Sequence, residues 1–315
     1  MFKLLYSIFL FLLIPFIFVF AIAHFDNIDK GYSTNDNVQR IQNIKVYDSL
    51  DILFMGNSYC YSGIIPEVFD SLNLNTYNLG ISTSGVLFYT LIYEDFIKST
   101  INKPKSIFIL VSPMSFSSKA DNFSFYPIHR YLQQPTSNEQ LAFQFNLFDA
   151  YPALLKKSFK KGISNLIHKM KPNQLSYFPN DRGFYPSNDE NNDSIISSTQ
   201  NLYKPLSTET IDDEMLSHFN QFVNRIKNDN IEVVVFQLPA NQLNNYFSEK
   251  YVIDYNIFIK NLKKEFTFID INLDLSNQYF RNIDHLNTKG AKVCSKELLN
   301  RIAVTPELNF LLRNE

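Results

Sequence analysis

Short apolar runs, each cut off by a turn signal and followed by a segment of helical periodicity, recur along this chain and leave it few architectures. Asp51-Ile52-Leu53-Phe54-Met55 ends at Gly56-Asn57-Ser58, Thr76-Tyr77-Asn78-Leu79 closes on Gly80, and Ser106 to Val111 stops at Pro113. Ile231 to Phe236 and Thr267 to Ile271 repeat the pattern further on. Between them Ile64 to Leu72, Ser84 to Ile101, Thr210 to Asn228, Tyr255 to Phe266 and Asn287 to Ile302 read as helices. The Thr210 helix sets Met215, Phe219, Phe222, Val223 and Ile226 on one face, and Thr210 with Asp213 resembles a capping box. Strands that are apolar throughout, rather than alternating, are buried on both faces. The expected fold is therefore α/β: a mostly parallel sheet between two helical layers.

The N-terminus makes a separate statement. From Leu4 to Ala23 every residue is apolar except Tyr6 and Ser7, and Lys3 precedes the run. About 20 such residues span a bilayer as a helix, and basic charge at the short end keeps that end in the cytoplasm. Ala21-Ile22-Ala23 also suits a signal peptidase. The length of the run favours an uncleaved transmembrane anchor, but both readings export the rest of the chain. The expected organisation is an anchor or signal peptide at 1–23, a linker at 24–48, the α/β domain at 49–303 and a tail at 304–315. Residues 115–205 break the alternation. They are polar and aromatic, with an Asn/Asp/Ser-rich patch from Pro186 to Thr199, and read as a long insertion shaping a substrate site or partner surface, or as a lid.

Composition excludes several classes. With 29 basic against 31 acidic residues, nothing favours nucleic acid. Cys60 and Cys294 have no metal-binding spacing; they read as small buried apolar residues, with one disulfide between them as the alternative in an oxidising compartment. There is no Gly-rich phosphate loop, and no metal or cofactor is implied.

Three loops can carry chemistry. Ser58 stands between a strand and a helix, where ligands bind in open α/β sheets and where a backbone N–H faces an anion; a serine there also serves as an ordinary cap. In Asn78-Leu79-Gly80-Ile81-Ser82 the Gly80 N–H is a candidate oxyanion donor. In Asp284-His285-Leu286-Asn287-Thr288-Lys289-Gly290-Ala291 a loop histidine follows an acid, which suits a general base with an orienting partner. His129, in the insertion, is the second choice among histidines.

Taken together, these blocks resemble the SGNH (GDSL-type) hydrolases, over roughly residues 49–112 and 207–303. The resemblance implies a three-layer, flavodoxin-like domain with Ser58 as nucleophile, His285 as base, and the N–H groups of Ser58 and Gly80 in an oxyanion hole. The Asp284-His285-Leu286-Asn287 form is similar to membrane-anchored members that accompany membrane-bound O-acyltransferases in acetylating exported polysaccharide. Two departures stand out. The family's third block supplies an oxyanion Asn, where this chain reads Val111-Ser112-Pro113-Met114-Ser115, so that donor is either missing or replaced, with Ser112 as the candidate replacement. The family's acid lies three residues before the histidine, which is Asn282 here, while Asp284 is adjacent to His285. An amide at 282 would orient the ring without stabilising its cation. The expected function is thus ester hydrolysis or O-acetyl transfer on a cell-surface glycan, outside the cytoplasm. The alternative is a catalytically degenerate partner that binds glycan or an acyltransferase.

Overall fold

The computed structural model describes residues 40, 43–44, 47, 49–81, 84–97, 103–116, 182–187, 211, 213–239, 247–282 and 284–313. All belong to one compact unit comprising Gln39–Phe125 and Pro179–Glu315. The Leu4–Ala23 run, most of the linker, Ser82, Thr210 and most of the insertion with His129 lie outside the described residues. Among the described residues, no helix is long and apolar enough to cross a membrane.

Five strands form the sheet: β1 (Ile52–Gly56), β2 (Thr76–Gly80), β3 (Ser106–Leu110), β4 (Glu232–Gln237) and β5 (Thr267–Asp270). Their order is β2-β1-β3-β4-β5 and every pairing is parallel. β1, β2 and β3 are buried along their whole length, as the apolar runs of β1 and β3 required, and in β2 the polar Thr76 and Asn78 are buried as well. The helices are α1 (Ser58–Gly63), α2 (Val86–Ile92, extended by a π-helical turn over Tyr93–Ile97), α3 (Asp213–Asn228), α4 (Glu249–Glu265) and α5 (Thr288–Val304). The step from β1 to β2 runs one way along the sheet and all later steps run the other. Right-handed crossovers therefore put α1 on one face and α2, α3 and α4 on the opposite one. The packing agrees: α5 lies against α1, α2 against α3, and Phe258 of α4 meets Phe219 of α3 at 6.1 Å between ring centroids.

At the centre of the sheet Phe54 meets Phe69 at 5.0 Å, Phe108 at 5.6 Å and Phe236 at 6.1 Å. Burying each such ring contributes roughly 2–3 kcal/mol. Phe116, which falls in the expected insertion, belongs to the core beneath α3 and α4: it is fully buried, 5.6 Å from Phe219 and 4.5 Å from Phe258.

Two helix starts differ from expectation, each because of a cap. The α-helix after β1 begins at Ser58 rather than Ile64, since the Asn57 side chain accepts from the Tyr59 N–H at 3.1 Å. It stops early because Pro66 forces Ile65 out of the α region (φ −100°, ψ 105°), and only a 3₁₀ segment, Pro66–Leu72, follows. Likewise α4 begins at Glu249, before the expected Tyr255, because Ser248 Oγ accepts from the Tyr251 N–H at 3.1 Å.

Residues 182–187 tie the end of the insertion to the sheet. Asn78 N–H donates to the Arg182 carbonyl (2.8 Å), Tyr185 N–H to the Tyr61 carbonyl (2.9 Å) and Thr288 N–H to the Ser187 carbonyl (2.7 Å). The segment thereby links edge strand β2, α1 and the start of α5.

Candidate active site

In the strand order β2-β1-β3-β4-β5 the chain reverses direction between β1 and β3, and ligands in open α/β sheets bind beyond the carboxyl ends of strands at such a point. Ser58 follows β1 there, and Ser112 follows β3.

Ser58 Oγ lies 2.7 Å from His285 Nε2, although 227 residues separate them in the chain. On the other side of the ring, His285 Nδ1 lies 2.5 Å from Asp284 Oδ1. Asp284 is buried, with a side chain only 2 % exposed, so its charge acts on the imidazole with little screening by water. The carboxylate holds the tautomer in which Nδ1 carries the proton, leaving the Nε2 lone pair for the Ser58 hydroxyl.

The loop geometry explains how adjacent residues achieve this. Asn282 Oδ1 accepts from the backbone N–H of Asp284 (3.2 Å) and of His285 (2.7 Å), closing a tight turn. Arg281 N–H donates to the His285 carbonyl at 2.9 Å, and Phe280 pairs with Leu286 in an isolated antiparallel bridge. Asn287 then caps α5 by accepting from the Gly290 N–H at 3.0 Å. A Cβ on residue 290 would stand 2.2 Å from the Tyr279 carbonyl oxygen, so glycine lets helix and loop touch. The expectation that Asn282 faces the histidine ring is corrected accordingly. Its amide oxygen accepts from two backbone donors, and the carboxylate beside the ring is Asp284.

The expectation for Gly80 also changes. Its N–H donates to Asn78 Oδ1 at 2.9 Å, so the amide is satisfied within β2 instead of being offered to a substrate oxygen. What the position requires is close approach, because a Cβ there would stand 2.3 Å from the Tyr61 nitrogen of α1.

Ser112 sits in a buried hydroxyl cluster. Asn57 Nδ2 donates to Ser112 Oγ at 3.0 Å, Ser112 N–H donates to Ser115 Oγ at 3.1 Å, and the two hydroxyl oxygens are 3.1 Å apart. Asn57 thus donates to Ser112 Oγ, while either hydroxyl of the Ser112–Ser115 pair can donate to the other, and Ser112 adjoins a cleft. That cleft, about 540 Å³, is lined at the strand ends by Tyr59, Ser112, Gln237, Asn256, Asn272 and Asp274, among others. Ser58 and His285 do not line it; Tyr59 connects the two regions.

Tyr59 was not singled out in the sequence. Its hydroxyl donates to Asp284 Oδ2 at 2.7 Å, and its ring stacks on His285 with centroids 4.8 Å apart and planes 1° from parallel. The available signal was a hydroxyl-bearing aromatic directly after the candidate nucleophile. Cys60, next along α1, is a buried free thiol pushed far above its usual pKa by desolvation, so it does not compete as a nucleophile. Cys294 is also free and buried. Among the described residues, no cluster of His, Cys, Asp or Glu could hold a metal ion.

A protein-family model matches residues 196–305, the stretch carrying β4, β5 and the Asp284-His285 pair. No curated protein matches the chain. Solved structures similar to it include a G-D-S-L family protein from Desulfitobacterium hafniense DCB-2, at 10 % identity and a TM-score of 0.38 over 81 % of this chain and 99 % of that one. They also include a GDSL-like lipase from Bacteroides thetaiotaomicron VPI-5482, at 9 % identity and a TM-score of 0.40 over 84 % of this chain and 98 % of the other.

Proposed function

We propose that this domain is a serine esterase or O-acyl transferase in which Ser58 is the nucleophile, His285 the general base and acid, and Asp284 the orienting carboxylate. The observation that carries this reading is the continuous line of contacts Ser58 Oγ–His285 Nε2 (2.7 Å) and His285 Nδ1–Asp284 Oδ1 (2.5 Å). A serine that merely caps a helix needs no imidazole against its hydroxyl, and a binding module needs no buried carboxylate behind that imidazole.

In the reaction, Ser58 Oγ bonds to the acyl carbon as its proton passes to His285 Nε2. The imidazolium formed is stabilised by Asp284. The oxyanion is met by the Ser58 N–H and the Ser112 hydroxyl. Collapse breaks the ester bond, and His285 returns the proton to the leaving alkoxide. The Ser58 acyl ester is then cleaved by water, or by an acceptor hydroxyl in the transferase version, with His285 taking that nucleophile's proton and giving it to Ser58 Oγ as the acyl group leaves.

The amide and carboxylate side chains lining the cleft suit a hydroxyl-rich acceptor, which supports a glycan as substrate, and the motif resemblance supports acetyl as the acyl group. The Leu4–Ala23 run supports a domain tethered outside the cytoplasm, and the motif resemblance supports a membrane-bound O-acyltransferase as its partner. The test is labelling of the full-length chain with a serine-directed fluorophosphonate. Labelling that Ser58→Ala abolishes is expected; equal labelling of the variant rejects Ser58, and an unlabelled wild-type chain rejects the enzyme reading.

A further inference from the structure

The line from Ser58 through His285 to Asp284 does not end at the carboxylate. Asp284 Oδ2 accepts a hydrogen bond from the Tyr59 hydroxyl at 2.7 Å, and Tyr59 is bonded in sequence to Ser58. The contacts therefore close into a ring that leaves α1 at Ser58, crosses the imidazole and the carboxylate, and returns to α1 at Tyr59. The geometry of a first helical turn makes this feasible. Successive side chains diverge by about 100°, so neighbouring residues can reach opposite ends of the same His–Asp pair. The turn itself is fixed, since the Tyr59 N–H donates to Asn57 Oδ1 at 3.1 Å and the Tyr59 side chain is only 6 % exposed in context.

We propose that Tyr59 is a positioning residue for the Ser58–His285–Asp284 site, holding Asp284 through its hydroxyl and the imidazole plane through ring stacking. The inference rests on the proposed serine chemistry. Two separate demands on the site point to Tyr59. The first is that an acid adjacent to its histidine hangs from a short side chain on the same turn, so it needs an external partner to select one carboxylate rotamer. The second is that the imidazole must keep Nε2 on the Ser58 hydroxyl while it gains and loses a proton. A face held parallel to within 1° against a buried ring limits rotation out of that line. Phenylalanine in place of Tyr59 would meet only the second demand, and an aliphatic residue neither.

The experiment compares aryl acetate turnover and fluorophosphonate labelling rates for the full-length wild type, Tyr59→Phe, Tyr59→Leu, Asp284→Asn and the double variant Tyr59→Phe/Asp284→Asn. Tyr59→Phe should lower kcat and the labelling rate about tenfold, the scale of one lost hydrogen bond to a charged group, with KM nearly unchanged and the melting temperature lowered by the loss of a buried donor. Tyr59→Leu should lose more than Tyr59→Phe. In the Asp284→Asn background, Tyr59→Phe should cost little further, because the hydroxyl acts through that carboxylate. A purely structural role predicts the same loss in both backgrounds, and that additivity overturns the proposal. So does a Tyr59→Phe chain as reactive as wild type. An unlabelled, inactive wild-type chain overturns the serine chemistry and this inference together, which separates the two failures.

Discussion

Asp284 and His285 are consecutive residues, yet the carboxylate of the first lies 2.5 Å from Nδ1 of the second. Adjacent side chains on extended backbone point apart, so this contact exists only because the turn is bent by Asn282, which accepts from both backbone amides. Carboxylate and amide thus have different tasks, which leads to opposite expectations for substitution. Asp284→Asn should lower kcat for an aryl acetate by up to about 10⁴, as a neutral partner neither fixes the tautomer nor stabilises the imidazolium. Asn282→Asp should give no gain, while Asn282→Ala, which leaves two part-buried amides without their acceptor, should lower both stability and kcat. Higher turnover in Asn282→Asp would put residue 282 against the ring after all.

Steric arguments are sharper at Gly80. A methyl group there would meet the Tyr61 nitrogen at 2.3 Å, and backbone cannot swing aside as a flexible side chain can. Gly80→Ala should cost about 1–3 kcal/mol or more, read as a lower denaturation midpoint, and should disturb α1 and with it Ser58. A variant as stable as wild type would mean that α1 and β2 do not pack as described.

Much of this arrangement was legible beforehand, for reasons tied to particular residues. Apolar runs such as Ile52–Met55 and Ile107–Leu110, each short and closed by a turn signal, read as strands buried on both faces, and the parallel sheet followed from their alternation with helices. Local pattern does not report what side chains do at caps. Asn57 and Ser248 moved two helix starts, and Pro66 turned an expected α-helix into a 3₁₀ segment. Spacing also misdirects where a loop is tightly bent: the count of three residues back from His285 reaches Asn282, whereas the turn brings Asp284 to the ring. Tyr59 could not be read from periodicity at all, because its role depends on a carboxylate 225 residues away.

The cysteines give a pH prediction. Desolvation, with a smaller contribution from Glu297, pushes the Cys294 thiol from 9.0 up to about 12 in the fold. In the unfolded chain the thiol ionises from about pH 8.5 upward. Between those limits the native state binds more protons than the unfolded one, so stability is fully present below the lower value and declines as pH rises toward the upper. Cys294→Ala should flatten part of the fall in melting temperature between about pH 9 and 11. Neither Cys294 nor Cys60 should react with a thiol reagent in the native chain at neutral pH, and rapid modification would contradict their burial.

Ser112 offers the most direct test of how the oxyanion is held. Gly80 has given its N–H to Asn78, and in the proposed reaction the Ser112 hydroxyl, beyond β3, assists the Ser58 N–H. Its oxygen accepts from Asn57 and lies 3.1 Å from Ser115 Oγ, and the residue also lines the cleft. Removing one oxyanion donor costs about 10²–10³ in kcat, so Ser112→Ala should fall in that range with KM little changed. It also takes an acceptor from Asn57, which on its own would lower stability by about 1–3 kcal/mol. Ser115→Ala separates these effects. It disturbs the same cluster and removes the acceptor of the Ser112 N–H, but leaves the Ser112 hydroxyl in place. Its loss in kcat should be well below that of Ser112→Ala at a comparable loss of stability. If the two variants lose the same activity, the cluster acts by supporting Asn57 and the cap of α1. In that case the oxyanion relies on the Ser58 N–H without help from Ser112.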